Sequence, residues 1–203
     1  MKCDFTFKHY KEIIKLAKRK GYSFCRVKDY SSTRKKVIYL RHDVDLAPSN
    51  AVRIAEIENR LGIKTSYYFR LHADYNPFSL KNVNIINEIK RLGHEVGLHY
   101  SPSFGELYGS TLQNEIIMFE LMYGKTYSFS LHEPARTNPG EIELKGYYNA
   151  HGLKFLTNTT YISDSGGRWR THCACEFIKK GVSRLCILTH PMWWFKVIPL
   201  EGY

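Results

Sequence analysis

Two carboxylates and an imidazole directly follow a short apolar run near the start of the chain. Residues 37–40 have the composition of a buried strand, and His42, Asp43 and Asp45 come immediately after them. Asp43 and Asp45 are two residues apart, so in extended backbone both side chains point to the same side. Adjacent carboxylates repel each other unless a cation lies beside them, and carboxylate with imidazole suits zinc, cobalt, nickel or manganese. The stretch therefore predicts a metal site in which one carboxylate binds the cation and the other stays free as a base.

A purely structural role accounts for only part of this pattern. An aspartate often caps a helix that begins with proline, and Pro48 follows closely. Such a cap explains one aspartate, but it does not explain two acids and His42 directly after an apolar strand.

Other histidines occupy the same kind of position, each at the end of a candidate strand. They are His72, His99, His132 and His190. Because the carboxyl ends of parallel strands meet at one edge, a shared site is favoured over several unrelated structural histidines. One of them could protonate a leaving amine opposite the base.

Strand and helix signals alternate along the chain. Strand candidates cover residues 37–40, 65–71, 94–99, 127–131, 153–156 and 185–189, and helix candidates cover residues 7–20, 51–61, 82–92, 111–123 and 141–150. This alternation predicts an α/β fold with a parallel sheet. Because no linker or repeat stands out, residues 1–203 are expected to form a single domain.

Most of the positive charge lies near the start of the chain. The formal net charge is +11, and residues 1–41 hold 13 Lys/Arg against 3 Asp/Glu. The helix predicted at residues 7–20 is basic and amphipathic, so it could contact an anionic membrane surface, although a solvated helix face is the favoured interpretation.

No nucleic-acid partner is expected, because no nucleic-acid-binding motif accompanies the charge. Without an apolar span or a signal-peptide centre, a cytoplasmic protein is predicted, peripheral to the inner membrane face if the basic region binds there.

The five cysteines do not suggest a disulfide framework. Their odd count and irregular spacing fit a reducing compartment. The sequence HCAC at residues 172–175 could bind zinc, but it lacks the second ligand pair that structural zinc sites usually have. Buried or edge thiols are therefore the favoured interpretation.

Five stretches together resemble a known family. They are LRHDVDL at 40–46, GHEVGLHY at 93–100, HEPA at 132–135, YISDSGGRW at 161–169 and LTHP at 188–191. In this order they resemble the polysaccharide deacetylases of carbohydrate esterase family 4, the NodB-like domain, and most closely the divergent HDVD branch associated with bacterial surface-polysaccharide biosynthesis. The resemblance implies a distorted (β/α) barrel with about seven parallel strands, and a divalent metal cofactor, with zinc the expected ion.

The resemblance also implies roles for individual residues. Asp43 matches the catalytic base, Asp45 and His99 match metal ligands, and His190 matches the general acid that Asp164 supports.

Further residues are implied around the pocket. The backbone N–H of Ala135 matches the group that holds the oxyanion, and Trp169 matches a pocket wall. Arg168 and Trp193 are expected to bind substrate beside it.

Two positions depart from the family pattern. Ser103 stands where the family has its second metal-binding histidine, and His132 stands where an arginine normally pairs with the base. One hypothesis joins both facts: His132 is the third metal ligand. His42 and His72 are the alternatives.

The implied activity is removal of an N-acyl group, acetyl or formyl, from an amino sugar in polysaccharide or O-antigen precursor biosynthesis. A nucleotide-linked or lipid-linked sugar fits the basic N-terminal region, because both carry phosphate. Two alternatives remain: a hydrolase of small non-sugar amides, and a non-catalytic carbohydrate-binding relative with a degenerate metal site.

Overall fold

One parallel sheet organises the computed structural model, which describes residues 3–134 and 142–195. Its strands are β1 (Ser23–Cys25), β2 (Val37–Val44), β3 (Ser66–Phe69), β4 (Glu95–Tyr100), β5 (Ser128–Leu131), β6 (Tyr148–Asn149), β7 (Thr160–Ser163) and β8 (Arg184–Thr189). The strand order is β6-β5-β4-β3-β2-β8-β7, with every pair parallel, and β1 pairs with the first part of β2. The seven strands of this path form a distorted (β/α) barrel of the NodB-like type, as the resemblance implied.

Helices lie between most consecutive strands, as is usual for connections in a parallel sheet. They are α1 (Phe7–Arg19), α2 (Pro48–Arg60), α3 (Leu80–Arg91), α4 (Pro102–Tyr108), α5 (Leu112–Tyr123), α6 (Leu153–Thr157) and α7 (Ala174–Lys180). Single 3-10 turns follow β1 and β8. Among the described residues, no helix combines the length and the apolar character that crossing a membrane would need.

Alternate residues of β2 point into two different cores. Tyr39 belongs to a cluster inside the barrel, whereas Leu40 belongs to the larger cluster between the sheet and the helices. By the same alternation Arg41 and Asp43 face inward and His42 faces outward. The strand therefore delivers a carboxylate to the interior of the barrel at its C-terminal end.

The helix α1 has the amphipathic form predicted for residues 7–20. Thr6 caps it by accepting a hydrogen bond from the backbone N–H of His9. Its apolar face is buried against the core, and its lysines at positions 8, 11, 15 and 18 are exposed. Because the protein itself covers the apolar face, only the lysine face is available to an anionic surface.

The other long elements also match the sequence predictions, with ends shifted by a few residues. Helices occur at the candidates 51–61, 82–92 and 111–123, and strands at 37–40, 65–71, 94–99, 127–131 and 185–189.

Two predictions between β5 and β7 were wrong. The predicted helix at 141–150 is not found over its described part, where β6 instead pairs with β5. The predicted strand at 153–156 forms the start of α6, which begins after the extended residue Gly152. An apolar run of four residues carries too little periodicity to separate a helix from a strand.

Candidate active site

A cavity of about 700 Å³ is lined by residues from the C-terminal ends of the strands. Asp43 and Asp45 reach it from β2, and His99 from β4. His132 follows β5 and His190 follows β8, and both line the same cavity. The structure thus brings together five of the residues selected from the sequence, at the edge where a parallel sheet gathers its site.

Three of these residues form a candidate metal-binding group. Ligand atoms of Asp45, His99 and His132 all lie within 4.8 Å of one another. Asp45 Oδ1 lies 3.1 Å from His99 Nε2 and 3.2 Å from His132 Nδ1, yet this buried oxygen has no hydrogen-bond partner among the described residues. One carboxylate and two imidazoles that converge in this way fit a divalent cation such as zinc.

The charge state of Asp45 suits a metal ligand. Burial raises the pKa of Asp45, but the imidazoles of His132 and His99 outweigh this effect and hold the pKa below its ordinary value. The carboxylate is therefore ionised at neutral pH, as binding to a cation requires.

Ser130 fixes the orientation of His99. The Ser130 hydroxyl donates a hydrogen bond to Asp43 Oδ1 (3.0 Å), so its oxygen accepts from His99 Nδ1 (2.6 Å). Nδ1 of His99 therefore carries a proton, and Nε2 is the ring nitrogen that faces Asp45. Such a hydrogen bond to the distal ring nitrogen is typical of metal-binding histidines.

Asp43 is held as a buried, ionised carboxylate beside the candidate metal group. Its Oδ2 lies 3.5 Å from Arg41 Nη2 and 4.0 Å from His99 Nε2. Burial raises the pKa of Asp43, but Arg41 and His99 together lower it below its ordinary value. The side chain can therefore accept a proton from a neighbouring group.

Arg41 was not selected from the sequence, although it lies in the LRHDVDL stretch. It is fully buried, and its Nη2 lies 2.6 Å from Nε2 of His151, a residue that lines the cavity. Burial, and then the nearby Arg41 cation, lower the pKa of His151, so this ring is neutral. The two-residue spacing of Arg41 and Asp43 on one strand was the signal that could have identified the pair.

His190 and Asp164 form a second functional pair. His190 Nδ1 lies 2.6 Å from Asp164 Oδ1, and the backbone N–H of His190 donates to the same carboxylate. Trp194 Nε1 donates to Asp164 Oδ2 (2.9 Å), so the carboxylate is fixed from two sides. Burial lowers the pKa of His190, but the carboxylate of Asp164 raises it by more, so the pKa lies above its ordinary value. His190 Nε2 lies 3.8 Å from Asp45 Oδ2, so it faces the cavity.

The alternatives for a third metal ligand lie elsewhere. His42 Nε2 is 3.0 Å from Glu58 Oε1 on the outer side of the sheet. His72 lies 3.4 Å from Glu115 and is not part of the candidate group. Among the three histidines considered from the sequence, the structure places His132 with Asp45 and His99.

Of the three residues predicted to bind substrate or to wall the pocket, only Trp193 lines the cavity. Arg170 lines it as well. Arg168 is exposed and does not line it. Trp169 also lies outside the cavity lining, because it stacks on Phe5 with ring centroids 5.8 Å apart. A pocket-wall role for Trp169, and substrate binding by these residues, therefore stay predictions.

The predicted oxyanion-binding residue, Ala135, lies outside the described residues. The residues directly before it, Glu133 and Pro134, line the cavity. The role of the Ala135 N–H therefore stays a prediction.

Comparison with known proteins gives matches among solved structures only. No family model and no curated protein matches the chain. The structural matches include the Bacillus anthracis protein BA3943, described as a CE4 family pseudoenzyme (TM-score 0.48, 15% identity), a mutant of BA3943 (0.49, 16%) and a mutant described as having restored enzymatic activity (0.48, 14%). Each match covers 81% of this chain and 60–62% of the other. The chain thus spans less than two thirds of the length of those proteins.

Proposed function

We propose that the protein is a metal-dependent hydrolase that removes an acetyl or formyl group from the nitrogen of an amino sugar. One observation carries the proposal. The group Asp45, His99 and His132 shares a single cavity with the ionised Asp43 and with His190. Metal-assisted hydrolysis of an amide uses a Lewis acid, a base for the water and an acid for the leaving amine. The ligand group would hold the metal, Asp43 would be the base and His190 the acid.

The metal ligands and Asp43 would act on water. A divalent cation held by the ligand group, zinc being the ion we propose, would supply Lewis acidity that acidifies water and polarises the acyl oxygen. Asp43, ionised and buried, accepts the proton of the attacking water. Protonation removes the attraction between Asp43 and Arg41 at 3.5 Å, so the proton is held weakly and is readily passed on.

His190 would act on the leaving group. Its Nδ1 is bound to Asp164, which leaves Nε2 to face the cavity and favours the protonated ring. Proton transfer from Nε2 to the departing nitrogen turns a poor leaving group into a neutral amine.

The substrate class rests on the five sequence stretches and on the cavity. The volume of about 700 Å³ is in the range for small-molecule sites and would admit a sugar ring with part of its carrier. Trp193 offers an indole at the cavity for stacking on a sugar face. We further propose membership of the HDVD branch of carbohydrate esterase family 4, a role in surface-polysaccharide precursor synthesis, and a nucleotide-linked or lipid-linked substrate whose phosphate meets the lysines of α1.

The test is a screen of zinc-reconstituted protein against N-acetylated and N-formylated amino sugars and sugar nucleotides, with release of free amine as the readout. We expect turnover by the wild type and a loss of about 10²–10⁴-fold in Asp43→Asn and in His190→Gln, the usual contribution of a proton-transfer group. Metal content should persist in Asp43→Asn. The matched control is Asp74→Asn, which changes an exposed aspartate outside the cavity and should leave turnover unchanged.

Other outcomes would each point elsewhere. Near wild-type turnover in Asp43→Asn would refute the assignment of the base. Sugar binding that needs neither metal nor Asp43 would identify a non-catalytic carbohydrate-binding protein. Hydrolysis of small amides alone would move the substrate class away from sugars.

A further inference from the structure

Four sulfur and nitrogen ligands converge outside the lining of the cavity, where the start of the chain meets α7. They belong to Cys3, His9, Cys173 and Cys175, and their ligand atoms all lie within 4.8 Å of one another. Cys3 Sγ is 3.5 Å from Cys175 Sγ, and His9 Nε2 is 3.2 Å from Cys173 Sγ. None of the four lines the cavity of the candidate active site.

These spacings agree with tetrahedral coordination. Zn–S bonds of about 2.3 Å and Zn–N bonds of about 2.0–2.1 Å place neighbouring ligand atoms about 3.5–3.8 Å apart in a tetrahedron. The contacts at 3.5 and 3.2 Å lie close to that range. They are far longer than the S–S bond of about 2.05 Å in a disulfide, and all of the cysteines are free thiols.

The surroundings of His9 favour a ligand rather than a simple core side chain. His9 is 2% exposed, and its Nδ1 is buried without a hydrogen-bond partner among the described residues. Glu12 Oε2 lies 3.6 Å from that nitrogen. A proton on Nδ1 would face the carboxylate and leave the Nε2 lone pair directed at Cys173, which is the arrangement usual for metal-binding histidines.

In the sequence, zinc is the less favoured interpretation of the HCAC stretch, because the other two candidate ligands come from another part of the chain. His172 is exposed and lies 3.6 Å from Glu176, outside the cluster. The second ligand pair is Cys3 and His9, and His9 precedes Cys173 by 164 residues. No local spacing rule detects a site that is assembled by the fold.

We propose that Cys3, His9, Cys173 and Cys175 form a structural zinc site that joins the N-terminal segment and α1 to α7. Three thiolates and one imidazole complete a tetrahedron, so no coordination position is left for water or substrate. The site therefore contributes stability instead of chemistry. Cys173 and Cys175 are buried, and Cys3, which is exposed, gives the ion a route of entry. This inference does not depend on the proposed function.

Cobalt distinguishes this site from the cavity site, because the cavity ligands contain no sulfur. Full-length reduced protein is stripped of metal and titrated with Co²⁺. We expect thiolate-to-cobalt charge-transfer absorption that disappears in Cys175→Ser. In His99→Ala, which impairs the cavity site, the absorption should persist and saturate at one equivalent. The matched control is Cys186→Ala, which removes a buried thiol outside the cluster and should leave the absorption intact.

Thiol reactivity gives a second readout that does not depend on variants. In native zinc-loaded protein the three thiols of the cluster should be protected from a thiol reagent, and a chelator should expose all three. Absence of the charge-transfer absorption from wild-type protein, or thiols equally reactive with and without zinc, would overturn the proposal. A native mass two hydrogens lower, which reveals a disulfide within the cluster, would overturn it as well.

Discussion

Ser130 couples the candidate base to a candidate metal ligand. One hydroxyl donates to Asp43 and accepts from His99, so the position of each side chain depends on the other through a single oxygen. A change of charge on Asp43 would alter how strongly the hydroxyl polarises the imidazole. The base and the ligand are therefore expected to behave as one unit, with effects that are not additive in double variants.

We predict that Ser130→Ala weakens metal binding in the cavity by about 10–100-fold, the usual effect of losing an outer hydrogen bond to a ligand. The measurement is zinc competition against a chromophoric chelator, made in the Cys175→Ser background so that only the cavity site is titrated. Ser128→Ala is the control, because Ser128 lies on the same strand but donates to Glu95. Equal affinities for Ser130→Ala and its parent would show that His99 is not oriented through Ser130.

The sequence identifies residues that directly follow strands, but it does not identify the groups that hold them. Asp43, Asp45 and His190 were selected because acids and histidines recur at the ends of candidate strands, and because these positions match motifs of the resembled family. Ser130 was missed because a serine inside β5 has no special pattern, and its partner Asp43 lies 87 residues away. Such contacts depend on which distant strands become neighbours, and a local sequence pattern does not reveal this.

At the scale of elements, Gly97 allows β4 to lie close to both of its neighbours. A Cβ atom at this position would overlap the backbone oxygen of Ser128 and would lie 2.9 Å from the ring of Tyr68. The glycine is needed for space, because its backbone does not adopt a positive φ. Since His99 is two residues further along β4, the close approach of the strands also sets the depth of a candidate ligand.

We predict that Gly97→Ala lowers the free energy of unfolding by about 1–3 kcal/mol, the usual cost of overpacking a core, and also weakens metal binding in the cavity. Chemical denaturation and metal competition measure the two effects. In Gly109→Ala an added Cβ meets no atom within 4 Å, but φ is +69°. That control should lose stability through backbone strain alone. Unchanged metal affinity in Gly97→Ala would separate strand packing from the site.

Element length decided which elements could be predicted. The long helices α1, α2 and α5 show several turns of apolar periodicity, and their positions were predicted correctly. The elements β6 and α6 have two and five residues, and each is determined by what it meets in the fold. For β6 this partner is β5, which a local pattern cannot reveal.

At the scale of the whole molecule, Glu58 joins several elements around one buried charge. Its carboxylate accepts hydrogen bonds from Tyr10 of α1 and Tyr67 of β3, both at 2.5 Å, and its Oε1 lies 3.0 Å from His42 Nε2 of β2. Burial raises the pKa of Glu58, but His42 and His94 outweigh this, and the pKa falls to about 2. The ionised form is thus preferred in the folded protein.

This preference predicts the direction of acid sensitivity. Because the folded pKa is lower than the unfolded value, Glu58 stabilises the fold above about pH 4.5, and the contribution is lost as the pH falls towards about 2. We expect Glu58→Gln to be less stable near neutral pH, by on the order of 3 kcal/mol, and to lose less on acidification. Urea unfolding between pH 7 and pH 2 tests this, because the series spans the window from about pH 4.5 to about pH 2 in which the contribution is lost.

Glu95 provides the matched control for that experiment. Burial raises the pKa of Glu95 above its ordinary value, so its ionisation costs stability as the pH rises. Glu95→Gln removes a group that gains stability as the pH falls, so the acid-induced loss of stability should be at least as steep as in the wild type. Parallel stability curves for wild type and Glu58→Gln would contradict the role given to the Glu58 network.

The three partners of β2 have a consequence for how the chain is made. One edge of β2 pairs with β1 and β3. The other edge pairs with β8, which is synthesised about 140 residues later. Pairing across such a separation forms late, because closing a long loop costs entropy before any contact repays it. A nascent chain therefore carries an open apolar strand edge, which favours association with other chains. Since His190 follows β8, the chain gains its candidate acid in the same step that removes this hazard.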